Sequence, residues 1–177
     1  MPRPNRQKIP IAKQVEVLFR DGWLCWLCHR PTVFPLAMKY LAEFVREKDY
    51  RTPIAFYDLR YRRDQAPILD HLACVIDHVE AFSRGGSHGG DNFKVACNKC
   101  NVRKSARAKE EYLAENPGKR VKGKYGEPQH WDGMASVFVV LARQAPDRLT
   151  LNERAWLQEI EKHLEKRALA SRLSQRP

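Results

Sequence analysis

The sequence predicts an α+β fold, mostly helical, in which one small strand–loop–strand–helix unit carries the chemistry. Three observations predict it. Two Cys-x-x-Cys pairs, Cys25/Cys28 and Cys97/Cys100, sit far apart in the 177-residue chain, and four thiolates in two such pairs are the ligand set of a structural zinc. Two short β-prone runs, one ending at Asp77-His78 and the other delivering Cys97, flank a glycine-rich turn region. Most of the remaining chain carries apolar residues at helical intervals.

The elements follow in order. Residues 1–10 form a basic, proline-containing arm. Pro10 is placed to open a helix on which Ile11, Val15, Leu18 and Phe19 share a face, and Asp21-Gly22 stops it. Trp23-Leu24-Cys25-Trp26-Leu27-Cys28 is a knuckle whose tryptophans are read as packing around it. A second helix is expected over 36–49, through Leu36, Met38, Tyr40, Leu41, Phe44 and Val45. Arg51 to Gln65 is less periodic and very basic, with Arg60, Arg62 and Arg63 among Tyr57 and Tyr61. That stretch suits either a DNA-contacting surface or a solvated loop.

Ala73-Cys74-Val75-Ile76 begins the first strand, and a loop from Ser83 to Asp91 holds Gly85-Gly86 and Gly89-Gly90. Asn92 to Ala96 alternates as a second strand, and Asn98 to about Ala114 favours one continuous helix by composition. Residues 119–130 read as a linker. Beyond it, Met134, Val137, Phe138 and Leu141 mark a helix, and Thr150-Leu151-Asn152-Glu153 has the form of a capping box opening a last one. The domain reading is therefore an arm (1–10), a catalytic body (11–118) with an insertion at about 31–72, a linker (119–130), and a C-terminal helical hairpin (131–177) packed on the body.

The net charge of +11 points to a polyanionic partner. Neither a signal-peptide core nor a membrane-length apolar run is present, so the expected compartment is the reducing cytoplasm. There, paired Cys-x-x-Cys reads as metal rather than disulfide, and two pairs fit zinc better than a thioredoxin-like site. The pairs are about 70 residues apart, against roughly 15–20 in an ordinary zinc ribbon. The insertion at 31–72 accounts for the excess. Cys74, on an apolar run, is expected in the core, and His29 is a minor rival ligand.

Ile76-Asp77-His78-Val79, Gly85-Gly86, Asn92 and Cys97-Asn98-Lys99-Cys100-Asn101-Val102-Arg103-Lys104 together resemble the HNH endonuclease family, in its zinc-stapled branch. The resemblance implies a ββα-metal core that hydrolyses nucleic-acid phosphodiesters with one divalent cation. His78 matches the general base, and Asn92 the middle Asn that steadies the loop. Asn101 stands where the last His usually is, an HNN variant. Asp77 and Asn101 would then hold the catalytic ion. Such proteins occur in bacteria, phages and mobile elements, including defence sets.

The residue chemistry agrees. A His titrates near neutrality, as a base for water must. Carboxylate and amide oxygens favour Mg²⁺ or Mn²⁺ over zinc. Lys104, Arg103, Arg107, Lys94 and Arg84 are candidate phosphate contacts, with Lys109 continuing the basic face. His88 is a weaker site candidate, while His71, His130 and His163 read as surface or packing residues. The expectation is a DNA endonuclease of low sequence preference with structural Zn²⁺ and catalytic Mg²⁺ or Mn²⁺. The alternatives are a zinc-dependent nucleic-acid-binding adaptor without catalysis and an RNA-cleaving nuclease. The insertion or the C-terminal helices offer faces for a protein partner.

Overall fold

A computed structural model describes residues 8–48, 66–87, 89–116 and 131–174. The basic run at 51–65, His88, the 119–130 linker and His130 lie outside the described residues.

Helix α1 spans Ile11–Arg20, with Pro10 as its N-cap and Asp21 as its C-cap. Its end is bolted to the second strand: the Asp21 carboxylate accepts the Val95 N–H at 3.0 Å, and the Arg20 guanidinium donates to the carbonyls of Phe93 and Gly90. Helix α2 (Pro35–Lys48) follows the knuckle, and a short α3 (Pro67–Leu72), not foreseen in the sequence, precedes strand β1 (Cys74–His78). Strand β2 (Phe93–Cys97) pairs antiparallel with β1, from Cys74 opposite Cys97 to His78 opposite Phe93.

This two-stranded sheet divides the interior. Phe93, Val95 and Ile76 join the main core, with Val15, Leu18, Trp23, Phe34, Phe138 and Ile160. The alternate positions Val75 and Ala96 meet the cysteine cluster on the other side, as the period-two geometry of a strand requires. Trp23 is fully buried in the main core, edge-on to Phe19 and Phe34 with ring centroids 5.6 and 5.8 Å away. It therefore serves the helical core, and only Trp26 belongs to the knuckle.

The continuous helix expected over 98–114 is corrected to two, α4 (Asn98–Lys104) and α5 (Lys109–Ala114). Ser105 takes a positive φ of 53° and breaks the path. The break turns Tyr112 and Leu113 back onto the cysteine cluster, where both are buried. A straight helix would carry them past it.

Helices α6 (Ala135–Gln144) and α7 (Leu151–Ser174) form the C-terminal pair. Helix α6 packs on α2, and α7 on α1. The capping box at Thr150 and Glu153 is present: Thr150 N–H donates to Glu153 Oε2 at 2.8 Å, and Glu153 N–H to Thr150 Oγ1 at 3.3 Å. The same carboxylate takes an ion pair from Lys39 of α2 at 2.6 Å and the Tyr40 hydroxyl at 3.3 Å. One glutamate thus caps α7 and ties it to α2.

The excursion between knuckle and sheet is closed at its neck. Val33 bridges Ala73 in parallel, with Val33 N–H donating to the Leu72 carbonyl at 2.9 Å and Cys74 N–H to the Val33 carbonyl at 2.8 Å. No described helix is long and apolar enough to cross a membrane.

Candidate active site and metal centre

The knuckle is a tight reversal. Leu24 bridges Pro31, and Cys25 N–H donates to the Arg30 carbonyl at 2.9 Å. Trp26 N–H donates to the Val95 carbonyl at 2.8 Å, pinning the reversal against β2. Cys25 and Cys28 thereby face Cys97, at the end of β2, and Cys100, in the first turn of α4.

The four sulfurs lie within 4.8 Å of one another, and Cys28 Sγ is 3.9 Å from Cys97 Sγ. A tetrahedron with Zn–S bonds of about 2.3 Å has edges of about 3.8 Å. The spacing fits zinc and is far too long for a disulfide. All four cysteines are buried, and the Tyr112 hydroxyl donates to Cys100 Sγ at 3.5 Å. Hydrogen bonds from the other three thiols and Tyr112 hold the Cys100 thiol low, while the neighbouring sulfurs and burial push Cys25 up. Cys74 lies in the main core, outside the sulfur group, as its apolar setting suggested.

Beside this centre, at the far end of β1, a cleft of about 480 Å³ is lined by Asp77, His78, Asn101 and Lys104, with Phe82 and Ser83 from the loop opposite. Three elements meet there: β1 brings the acid and the imidazole, α4 the amide and the ammonium, and the loop closes the side. His78 is only 4% exposed and sits edge-on to Phe93, centroids 5.0 Å apart. The carboxylate of Asp77 is gripped from two sides, Trp26 Nε1 donating to Oδ2 at 3.1 Å and Lys104 Nζ to Oδ1 at 3.2 Å. Burial raises the Asp77 carboxyl above its ordinary value, against the pull of Lys104 and Trp26.

The His78 backbone N–H adds a third hydrogen bond to the carboxylate, which has about four lone-pair sites in all. With the Asn101 amide in the same cleft, the donor set suits a hard, oxygen-seeking divalent ion.

Asn92 lies outside this cleft lining and organises the loop. Its Oδ1 accepts the Glu80 N–H at 2.8 Å, and its Nδ2 donates to the carbonyls of Glu80 at 3.0 Å and Ser87 at 2.8 Å. Its backbone carbonyl also accepts the Val79 N–H, next to His78. Gly86 packs so closely that a Cβ there would fall 2.0 Å from the Glu80 oxygen and 2.9 Å from Asn92 Nδ2.

The basic candidates divide. Lys104, read from sequence as a phosphate contact, is fully buried with its ammonium on Asp77 and on the His78 carbonyl oxygen at 3.0 Å. Arg107 is drawn into the α4–α5 turn, on the Lys104 and Arg103 carbonyls and Glu115. Lys94 lies 3.8 Å from Asp21. Arg84 pairs with Glu111 at 3.4 Å, and Arg103 is exposed. Of the other imidazoles, His71 is exposed and His163 stacks on Phe19.

Sequence reasoning missed Trp26 as a partner of Asp77 and Tyr112 as a partner of Cys100. Both signals are long-range, and only an aromatic with a polar tip near a metal ligand hints at them.

Comparison with known families matches residues 65–107 to the family described as HNH endonuclease. No curated protein and no solved structure matched.

Proposed function

We propose that this chain, whose residues 65–107 match the family described as HNH endonuclease, hydrolyses DNA phosphodiester bonds with one divalent cation and His78 as general base. The observation that carries this reading is the convergence of Asp77, His78 and Asn101 on one cleft. A pure binding module has no need of a buried acid, an imidazole and an amide around one cavity.

Phosphodiester hydrolysis requires a water stripped of a proton, relief of charge on the phosphate, and a stabilised leaving oxygen. His78 accepts the proton as the water oxygen bonds to phosphorus and the P–O ester bond breaks. The Phe93 edge contact fixes its ring plane, and Asn92 holds the loop that begins one residue later. Asp77 and Asn101 would hold a Mg²⁺ or Mn²⁺ ion, which supplies charge relief on the phosphoryl oxygens and the leaving group. Trp26 keeps the Asp77 carboxylate oriented. The zinc centre does no chemistry in this scheme; it fixes the knuckle and α4 on either side of the acid.

DNA is the favoured substrate from the chain's charge of +11 and the family's usual target. Supercoiled plasmid, single-stranded DNA and RNA incubated with Mg²⁺ test the reading. His78→Ala should bind plasmid normally and cut at least about 10²-fold more slowly. Equal behaviour of wild type and variant would refute nuclease activity and favour the adaptor. Faster cutting of RNA than of DNA would reassign the substrate.

A further inference from the structure

We infer that Lys104 is a built-in counter-ion of Asp77 and makes capture of the catalytic cation depend on a bound phosphodiester. This rests on the reading of the cleft just given. Lys104 is 0% exposed. Its Nζ lies 3.2 Å from Asp77 Oδ1, 3.0 Å from the His78 carbonyl oxygen, and 5.9 Å from the centroid of the Trp26 ring. An ammonium without water is retained only against a compensating anion. Asp77 is that anion.

Asp77 is also the only acid among the described residues lining the cleft. Its single negative charge is cancelled by Lys104, and the Asn101 amide adds none. The net charge of the protein's own ligand set is zero. Hard divalent cations in phosphoryl-transfer sites are held by one or two carboxylates together with substrate phosphate, and they surrender water reluctantly. With its one carboxylate neutralised, this site lacks the charge to hold such an ion by itself. A phosphodiester in the cleft restores one negative charge, so ion and nucleic acid must favour each other's binding. Linkage makes that preference equal in both directions. Lys104→Met removes the counter-charge, so the variant should hold the ion without nucleic acid.

The test uses the full, zinc-loaded chain carrying His78→Ala to prevent cleavage. Free Mn²⁺ is counted by its paramagnetic resonance signal, with and without a short DNA duplex whose own Mn²⁺ binding is measured separately. The duplex should lower the Mn²⁺ dissociation constant about 10-fold or more. Adding Lys104→Met should tighten Mn²⁺ binding in the absence of DNA and shrink that ratio, and Lys104→Arg should restore it. Equal Mn²⁺ affinity with and without DNA overturns the inference, whatever the Met variant does. If the Met variant loses its zinc or its fold, that ratio and the Arg variant decide alone. The two readings fail separately: a wild-type enzyme that cuts plasmid yet shows no coupling sinks only the role of Lys104. A protein that cuts nothing with any divalent cation sinks the nuclease.

Discussion

Removing the zinc should melt one side of the molecule and leave the other folded. The sulfur cluster is a satellite of the core, and its large buried apolar side chains are Leu27, Tyr112 and Leu113. Each contributes about 1.5–3 kcal/mol by burial. A structural zinc supplies about 10–16 kcal/mol to the fold around it. On that side of the sheet the metal therefore outweighs the packing, and the apolar contacts alone cannot order the knuckle, α4 and α5. The main core, with Phe34, Phe138, Ile160 and Val15, lies on the other face of the two-stranded sheet from the metal centre. Hydrogen exchange followed by mass spectrometry, before and after chelation, reads the two sides separately. Amides of residues 25–30 and 97–113 should lose protection while those of α1, α6 and α7 keep most of theirs. Cys97→Ser should reproduce the chelated pattern and lose bound zinc. Undiminished protection at 25–30 and 97–113 in metal-free protein would refute the argument, since apolar packing would then suffice.

The remaining predictions concern the scaffold. Burial raises the Glu153 carboxyl, but the Lys39 ion pair and the Thr150 donors outweigh it and leave the group below its ordinary value. A depressed folded value means stability present above the unfolded pKa of about 4.3 and lost as pH falls through the folded one. Thermal melts from pH 7 to pH 3 should show Glu153→Gln less stable by about 1–3 kcal/mol at neutrality and less sensitive to acid. Gly133 has φ of +65°, and a Cβ there would fall 2.1 Å from the Trp23 ring. Denaturant unfolding should find Gly133→Ala less stable by about 2–5 kcal/mol. Asn92→Ala removes three loop hydrogen bonds. Steady-state cleavage should show its kcat reduced about 10-fold or more, with zinc content unchanged.

Much of the fold was legible because its signals are local. Pro10 and Asp21-Gly22 bound α1, the Thr150/Glu153 pair opens α7, and the two β-prone runs became β1 and β2. The spacing of the cysteines announced their convergence, because a two-residue gap suits one metal. The break at Ser105 was hidden, since Ala, Arg, Lys and Glu favour helix on both sides of it. What decides it is tertiary: Lys104 turned inward and Tyr112 folded back on Cys100. The burial of Lys104 was equally invisible. Its compensating acid lies 27 residues earlier, and no local pattern marks a lysine as internal. Trp26 finds Asp77 across 51 residues for the same reason.

The pinched neck at Val33 and Ala73 has a practical corollary for anyone re-engineering this protein. Val33 and Ala73 already hold the two ends of the excursion together, and the entropy of closing a flexible insertion grows only logarithmically, about 0.6 kcal/mol per doubling of length. A graft must leave α3 in place, because α3 packs on α4 and its Asp70 carbonyl accepts from Asn98 Nδ2 at 3.2 Å. A foreign segment spliced after α2 would leave every residue lining the cleft unchanged.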